Sequence, residues 1–409
     1  MVTFFRLKTN LMKKPSNFVL VGVGAMLVAL GFAGWRMWGS QANFNRVWPE
    51  LSGGTYDQPV EYRGLQYLVP PDELYDSGST AEDRPALTNP DYVDISSADP
   101  KLADELKGIA VSVGNTHLFY PFQILNWHQI VMDYDVNGEP LIVTYSPLSG
   151  SAVVYSAWVD ETHQEQHGFI DAGQVYNNGL LLDDGDGTVW NQTTGQAIVG
   201  KTVGQKLEIY PSSVMTWDLW KDNYPNGLVL STETGYARDY GRHPFASYET
   251  SPGIFFPLNY VHPGVGPKDT VYRLDHQDLS MAFLLRYLPR QTDPNVTLGT
   301  DGDALRAVVF YYGKLNNARI FNRDINGGSR TLTFTYANGT ITDNETGSRW
   351  SPEGVALSGE LRGTALEELP VTQHYGFAYF AMYPKSLISG ADLLPSSQVV
   401  DEPEVLEIK

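Results

Sequence analysis

The residues best suited to chemistry lie in a turn between two strand-like runs. The stretch 143–155 reads VTYSPLSGSAVVY, and Ser146 and Ser149 stand in its turn. Serine hydroxyls at such a place can bind a ligand or, beside a base, act as a nucleophile. The chain has no G-x-S-x-G nucleophile elbow, and serine readily satisfies backbone groups within turns. We therefore interpret the segment as a structural turn, with ligand contact as the alternative.

A histidine and an aspartate form a second candidate. His128 comes directly after Trp127, and Asp133 lies five residues further on. Histidine is the commonest metal ligand and changes its charge near neutral pH. His128 is therefore the best single candidate for function. The alternative is a structural histidine that is satisfied inside the protein.

A dense polar loop containing Arg238, Asp239, Tyr240, Arg242 and His243 is the third candidate. Two arginines at this spacing can grip a carboxylate, a phosphate or a sugar acid through forked hydrogen bonds. In the alternative, the arginines pair with Asp239 and neighbouring acids and hold the loop in place. Both interpretations stay open at the level of the sequence.

An uncharged run of eighteen residues, from Phe18 to Trp35, predicts a membrane anchor. Its length is close to the roughly 20 residues that a helix needs to cross the bilayer. Basic residues precede it, which predicts a cytoplasmic N-terminus and places everything after about residue 40 outside. A cleaved signal peptide, with Ser40 and Ala42 at a weak cleavage site, is the alternative. We expect a single-pass protein of the cell membrane, with its C-terminal domain on the periplasmic or extracellular side.

Charge and cysteine content exclude several classes of function. Five of the 28 basic residues lie in the first forty positions, which contain no Asp or Glu, so the remainder carries 23 basic and 47 acidic residues. This acidic chain repels nucleic acid, and no nucleic-acid partner is expected. The sequence contains no cysteine, so disulfides, thiolate nucleophiles and thiol-ligated metals are impossible. The cofactor and the small-molecule or protein ligand stay undetermined.

The texture of the chain predicts a mainly-β fold with a few short helices. Residues 39–104 are rich in proline and form a linker or a wrapping arm, and from Ile109 onward short β-type runs alternate with turns. One helix is expected around Ser213 to Tyr224, because aromatic residues share one face there and Pro225 ends it.

The pattern G-x-A-x-x-G-x-x-x-G-x-x-L-E-x-x-P occurs twice, from Gly195 to Pro211 and from Gly354 to Pro370. Trp190 and Trp350 precede it at nearly equal distances. The sequence therefore predicts two tandem copies of a β-rich unit behind an N-terminal transmembrane helix, with a ligand cleft between the copies. The expected segments are a cytoplasmic N-terminus (1–17), an anchor (18–38), the arm (39–104), a first copy (105–232), a polar loop (233–267), a second copy (268–395) and an acidic tail (396–409).

Five ordered stretches make the chain resemble a known family. They read LVPPDELYDSGSTAEDRPALTNPDYVDIS (68–96), HLFYPFQILNWHQIVMD (117–133), VTYSPLSGSAVVY (143–155), VYNNGLLLDDGDGTVWNQ (175–192) and TGYARDYGRHPFASY (234–248). Together they resemble the bacterial and archaeal domain-of-unknown-function family 3179 over about residues 65–395. The resemblance implies a secreted or membrane-anchored protein and no agreed activity.

The chain departs from this family at its central turn. Members usually carry C-P-L-C-G-S there, whereas Ser146 and Ser149 stand in the two cysteine positions of this chain. Serine forms no disulfide and binds soft metals poorly, so we expect no thiol-based activity at this turn. We expect a non-catalytic ligand-binding or assembly module whose pocket lies near His128, Asp133, the serine turn and the arginine loop. The alternative is a metal-dependent or hydrolytic enzyme that uses His128 and the loop Arg238–Arg242.

Overall fold

The computed structural model describes residues 49, 51, 54–158, 165–291, 293–300, 302–313, 317–337, 339–391 and 394. Strands dominate this part of the chain, which confirms the expected mainly-β fold. Its helices are short: α1 (Ile95–Ala98), α2 (Phe122–His128), α3 (Trp217–Asn223), α4 (Ala246–Thr250) and α5 (Gly376–Met382).

None of the helices in the described ranges is long and apolar enough to span a bilayer. The expected anchor, Phe18 to Trp35, lies outside the described residues.

The proline-rich segment before residue 104, called the arm below, contains five short strands. They are β1 (Val60–Tyr62), β2 (Leu65–Tyr67), β3 (Tyr75–Asp76), β4 (Leu87–Thr88) and β5 (Tyr92–Asp94).

The first section of the main domain, residues 107–230, contributes eleven strands. They are β6 (Lys107–Val113), β7 (Thr116–Pro121), β8 (Ile130–Val136), β9 (Glu139–Ser146), β10 (Ser151–Ser156), β11 (Ile170–Tyr176), β12 (Gly179–Asp183), β13 (Thr188–Asn191), β14 (Gln196–Gly200), β15 (Ser212–Thr216) and β16 (Leu228–Leu230).

The second section, residues 270–389, contributes thirteen strands in its described part. They are β17 (Thr270–His276), β18 (Leu279–Leu284), β19 (Asn295–Leu298), β20 (Leu305–Tyr312), β21 (Asn317–Asn322), β22 (Asp324–Ile325), β23 (Arg330–Thr331), β24 (Phe334–Ala337), β25 (Thr340–Asp343), β26 (Arg349–Trp350), β27 (Ala356–Ser358), β28 (Val371–Tyr375) and β29 (Leu387–Ser389).

The strands of the two sections pair in corresponding orders. The order β15-β6-β7-β16 in the first section corresponds to β28-β17-β18-β29 in the second, and the last pair of each row is parallel. The three-strand order β8-β9-β10 corresponds to β19-β20-β21, and β11 to β14 correspond to β24 to β27. The hairpin of β22 and β23 has no counterpart among the described strands of the first section.

Two glycines mark corresponding close contacts in the sections. Gly195 and Gly354 both have a positive φ, of 68° and 81°. A Cβ atom at Gly195 would lie 2.7 Å from the ring of Tyr155, and one at Gly354 would lie 2.7 Å from the ring of Phe321. Both positions therefore require glycine for backbone conformation and for space.

One continuous sheet joins the sections, because β28 of the second section pairs with β10 of the first. At this contact Glu368 accepts hydrogen bonds from Ser213, at 2.6 Å, and from Arg319 Nε, at 2.8 Å. The remaining cavity has a volume of about 10 Å³, room for about one water molecule. The expected ligand cleft between the sections is therefore absent at this contact, because polar and apolar side chains fill it.

The arm adds strands to the sheets of the main domain. Strand β2 pairs with β14, β3 with β11, β4 with β8, and β5 with β16. Leu68 and Leu87 are buried by these contacts. Between residues 54 and 104 the segment is thus a wrapping arm and not a free linker, because its backbone groups complete the hydrogen bonding of sheet edges.

The predicted helix around Ser213 to Tyr224 begins later than expected. Residues 212–216 form β15, which pairs with β6, and α3 starts at Trp217. Val214 and Met215 are buried in two different apolar clusters on opposite faces of the strand. Burial on both faces of a sheet favours the strand over the helix in this stretch.

Candidate functional site

The last three residues of helix α2, Asn126, Trp127 and His128, contact the arm and the polar loop. It ends at His128, and Gln129 follows in the left-handed conformation with φ of 47°. His128 is fully buried, and Asn126 is 3% exposed. Asn126 and His128 are thus buried at the end of the helix, and Trp127 between them is half-buried.

Both ring nitrogens of His128 have partners within the protein. Nδ1 lies 2.8 Å from the carbonyl oxygen of Pro85 in the arm, and Nε2 lies 2.6 Å from the hydroxyl of Tyr240. Because a carbonyl only accepts, Nδ1 carries the proton, and the Nε2 atom of the neutral ring accepts from Tyr240. The oxygen of Tyr240 is then left to accept from the hydroxyl of Thr234.

Burial lowers the pKa of His128 below its ordinary value. The positive charge of Arg238 acts in the same direction, against the hydrogen bond to Pro85. The ring is therefore neutral at physiological pH, which agrees with the hydrogen bonds of its two nitrogens.

Arg238 binds the arm through backbone carbonyls. Its guanidinium donates to the carbonyl oxygen of Asp83 at 2.9 Å and to that of Glu82 at 3.4 Å. The same group lies 5.9 Å from the ring centre of Trp127. Arg238 therefore holds the arm against α2. This is a structural role, as in the alternative in which the arginines hold the loop in place, but the acceptors are backbone carbonyls and not carboxylates.

A histidine from the same loop contacts the first of the three α2 residues. The Nε2 atom of His243 lies 3.5 Å from the side-chain amide of Asn126 and 3.3 Å from Glu249 Oε1. We call this meeting of three segments the arm junction. It comprises residues Glu82, Asp83 and Pro85 of the arm, Asn126 to His128 of α2, and Thr234, Arg238, Tyr240 and His243 of the loop.

The other two residues of the predicted loop face solvent. Asp239 and Arg242 are exposed. The carboxylate of Asp239 accepts a hydrogen bond from the backbone N–H of Gly241 at 3.1 Å, and the backbone N–H of Arg242 donates to the carbonyl of Asp239. The two arginines thus do not form one forked clamp, because only Arg238 turns toward the arm.

Asp133 belongs to a separate network. The hydroxyl of Tyr92 donates to its carboxylate, and the hydroxyl of Tyr120 lies 2.9 Å from that of Tyr92. Burial raises the pKa of Asp133, while the hydrogen bonds from the tyrosines oppose this effect. Tyr92 lies in β5, so this network also ties the arm to the first section.

The serine turn is buried and contacts the second section. Ser146 and Ser149 are 2% and 0% exposed, and the hydroxyl of Ser149 donates to the carbonyl of Ser146 at 3.4 Å. The backbone N–H of Tyr375 donates to the carbonyl of Ser149 at 2.8 Å. Among the described residues, no hydrogen bond joins either serine to His128 or Arg242. The hydroxyl of Ser149 therefore satisfies a carbonyl of the turn, and both serine side chains are shielded from solvent.

Two cavities lie beside the arm, close to the arm junction. One, of about 450 Å³, is lined by arm residues 86–91 and by Ser231 and residues 233–236. The other, of about 370 Å³, is lined by Asn89, Pro90, Asp133 and neighbours on β7 and β8. We call the first the arm cavity. It lies directly beside the arm junction, because Thr234 belongs to both.

Within the described ranges, no group of three or more His, Cys, Asp or Glu side chains is placed to hold a metal ion. His128 has no free ring nitrogen, so it could bind a metal only after losing Pro85 or Tyr240.

Sequence reasoning missed several residues of the arm junction. Thr234 lies within the stretch 234–248 that carries the resemblance, and Trp127 adjoins His128. Their aromatic and polar types next to the chosen candidates were the available signal. The carbonyls of Glu82, Asp83 and Pro85 gave none, because backbone acceptors occur at every residue.

Fold and site together define a mainly-β domain whose polar candidate residues hold an extended arm against one short helix. The model of the family described as "Protein of unknown function (DUF3179)" matches residues 82–386. The chain belongs to this family, which confirms the resemblance seen in the sequence. No curated protein and no solved structure matches the chain.

Loss of the Tyr240 hydroxyl should destabilise the arm junction. The substitution Tyr240→Phe leaves His128 Nε2 buried without a donor, so we expect the free energy of unfolding to fall by about 1–3 kcal/mol. We also expect faster proteolytic cleavage of the arm near residues 78–84. Denaturant unfolding and timed proteolysis measure the two effects. Tyr236→Phe is the matched control, because Tyr236 is 45% exposed; equal effects of both variants would contradict the role of the junction.

Stability should depend on pH through His128. The pKa of His128 is lowered on folding, so only the unfolded chain takes up this proton as the pH falls through about 6.5. The stabilisation from the neutral ring is thus complete above about pH 6.5 and decreases below it, by up to about 1.4 kcal/mol per pH unit. We expect the stability difference between wild type and His128→Asn to shrink between pH 7.5 and pH 5. Denaturant titrations at each pH measure it, and a constant difference would rule out this linkage.

Proposed function

We propose that the chain is a single-pass, membrane-anchored extracytoplasmic protein that acts as a non-catalytic ligand-binding module. Its main domain then consists of two tandem copies of one β-rich unit, residues 105–232 and 268–395. The uncharged run from Phe18 to Trp35 and the basic residues before it support the anchor.

Corresponding pairings support the proposal of two copies. Trp190 pairs with Leu182 and Trp350 with Ile341. The indole N–H donates to Asp184 in the first case and to Asp343 in the second. A β-bulge also comes directly before each tryptophan, at Val189/Trp190 and at Arg349/Trp350. Two sections that share strand order, bulge position and indole partner are expected from duplication of one unit.

The single observation that carries a binding function is the position of the arm cavity directly beside the arm junction. His128 and Arg238, the two best candidates for chemistry, are engaged in holding the arm. The space they support, of about 450 Å³, falls within the range of roughly 300–1,000 Å³ that is typical of small-molecule sites. The junction then acts as the rigid wall of a pocket.

The lining of the arm cavity indicates the chemistry of its ligand. Asp91 and Glu233 are exposed carboxylates on its two sides, and the ring of Tyr236 is 45% exposed at its edge. Carboxylates and an aromatic face favour a hydroxyl-rich or ammonium-bearing ligand. The overall charge of −19 attracts cations in the same way.

A metal-dependent or hydrolytic enzyme is the alternative, and one observation favours it. The hydroxyls of Thr234 and Tyr240 connect the wall of the arm cavity to the buried imidazole of His128. Such a chain can pass a proton between a bound substrate and a histidine.

A ligand screen tests the binding function. Saturation-transfer NMR on the full chain in detergent micelles, with amino sugars, alkylamines and neutral sugars as probes, should detect at least one binder. Glu233→Gln should weaken that binder by roughly fivefold, since about 1 kcal/mol of a charge-assisted contact is lost. Glu105→Gln, an exposed carboxylate outside the cavity, should leave it unchanged. Binding that Glu233→Gln leaves unchanged would place the ligand outside the arm cavity.

Metal analysis separates the two proposals. We expect the purified full chain to carry less than stoichiometric metal, and His128→Asn to carry the same amount. Elemental analysis by mass spectrometry measures both. The enzyme would be favoured if the wild type carries stoichiometric metal and His128→Asn loses it. Glu105→Gln is the control and should leave the metal content unchanged.

A further inference from the structure

The second section contains an apolar cavity of about 260 Å³ at the end of β19. Its volume lies just below the range of small-molecule pockets, which suits a few side chains better than a whole ligand. Its lining includes Leu288, Pro294, Val309, Phe310, Tyr336 and Ile341.

Strand register relates one wall of this cavity to the first section. Trp190 corresponds to Trp350, and these residues pair with Leu182 and Ile341 respectively. In the next strand, Leu182 pairs with Asp171, and Ile341 pairs with Tyr336. Tyr336 in the cavity wall therefore stands where the first section has Asp171.

Register relates the opposite wall in the same way. Tyr155 corresponds to Phe321, because their rings lie against Gly195 and Gly354. Tyr155 pairs with Ile142, and Phe321 pairs with Val308. The residues that follow these partners, Val143 and Val309, are therefore counterparts.

The next pairing completes this wall. Val143 pairs with Val131, and the backbone N–H of Val309 donates to the carbonyl of Pro294. Pro294 therefore stands where the first section has Val131.

In the first section the arm fills this position. Leu87 pairs with Val131 in strand register and belongs to the apolar cluster that contains Val143. Ala86 packs on the other face, against the cluster that contains Leu182. The guanidinium of Arg84 forms an ion pair with Asp171 at 2.7 Å.

The second section has the corresponding strands around its cavity, but no segment of the described chain lies where Ala86 and Leu87 lie in the first section. In the described part of the chain, no strand pairs with the outer edge of β19, whereas β4 covers the corresponding edge of β8. An unpaired edge beside an apolar cavity can accept an added strand.

We propose that this cavity is a docking site for an extended peptide segment of a partner protein. The segment runs beside β19 and presents a small and then a branched apolar side chain, as Ala86 and Leu87 do in the first section. The inference depends on the pairing pattern of the strands and is independent of the ligand proposed for the arm cavity.

The exchange of Asp171 for Tyr336 sets the specificity of the site. The side chain of Tyr336 is 53% exposed at the rim. Where the arm has Arg84 opposite a carboxylate, the partner faces an aromatic ring, which favours an apolar residue at that position.

Peptides derived from the arm test the proposal. The probe is a fluorescein-labelled peptide of residues 84–91, RPALTNPD, together with its Arg84→Leu and Leu87→Asp variants. Fluorescence polarisation with the full chain in detergent should show that the Arg84→Leu peptide binds at least as tightly as the parent. The Leu87→Asp peptide should bind at least tenfold more weakly, because a charge replaces the apolar side chain.

Two protein variants locate the binding. Val309→Trp fills the cavity and should abolish binding, whereas Leu357→Trp is a control at a 59% exposed apolar position outside it. If Val309→Trp fails to fold, Tyr336→Asp decides the question at an exposed site. Tyr336→Asp restores the carboxylate of the first section, so it should reverse the preference and make the Arg84 parent bind about tenfold more tightly than the Leu variant.

Several outcomes would overturn the proposal. Absence of binding up to about 1 mM, or a peptide preference that Tyr336→Asp leaves unchanged, would remove the site. A weaker Arg84→Leu peptide would mean that the probe displaces the arm from Asp171. Cross-links between two full chains through their own arms would assign the cavity to a second copy. Binding seen only after residues 395–409 are deleted would assign it to the chain's own C-terminal segment.

Discussion

The open edges of the sheets in the first section are the constraint on which the candidate site depends. An edge strand leaves a row of N–H and C=O groups without partners. The arm supplies those partners at β8, β11, β14 and β16. The arm junction, the Asp133 network and the arm cavity all lie where the arm meets the domain, because the arm is held there by side chains as well as by strand pairing.

A buried neutral histidine is the centre of that attachment. His128 accepts from Tyr240 and donates to Pro85, so one ring connects α2, the loop and the arm. Removing a partner from such a buried group costs more than the bond itself contributes, because the group left behind is desolvated. A polar contact of this kind specifies one position of the arm, which an apolar contact alone would fix less sharply.

The two sections show how one pattern of strands can carry different surfaces. At the edge of β8, Ala86 and Leu87 complete two apolar clusters, and Arg84 is neutralised by Asp171. At the edge of β19, Tyr336 replaces the carboxylate and a cavity stands in place of the apolar side chains. The scaffold is retained in both, and the difference lies in the covering of the edge.

The mainly-β fold, the family and the serine turn could be predicted from the sequence, since short β-type runs, ordered motifs and a Pro-Gly turn are local signals. The sequence also identified His128, Arg238 and Tyr240 as notable residues. It did not predict that Ser213 begins no helix, because burial of β15 on both faces depends on its neighbours in the sheet.

The contacts of these notable residues could not be predicted from the sequence, because they depend on the tertiary structure. His128 meets Pro85 and Tyr240, which lie 43 and 112 residues away along the chain. Contacts over such separations depend on how the sheets pack, and residue type and local spacing carry no record of them. For the same reason the arm was visible only as a proline-rich segment, and its strands became recognisable beside the edges that they complete.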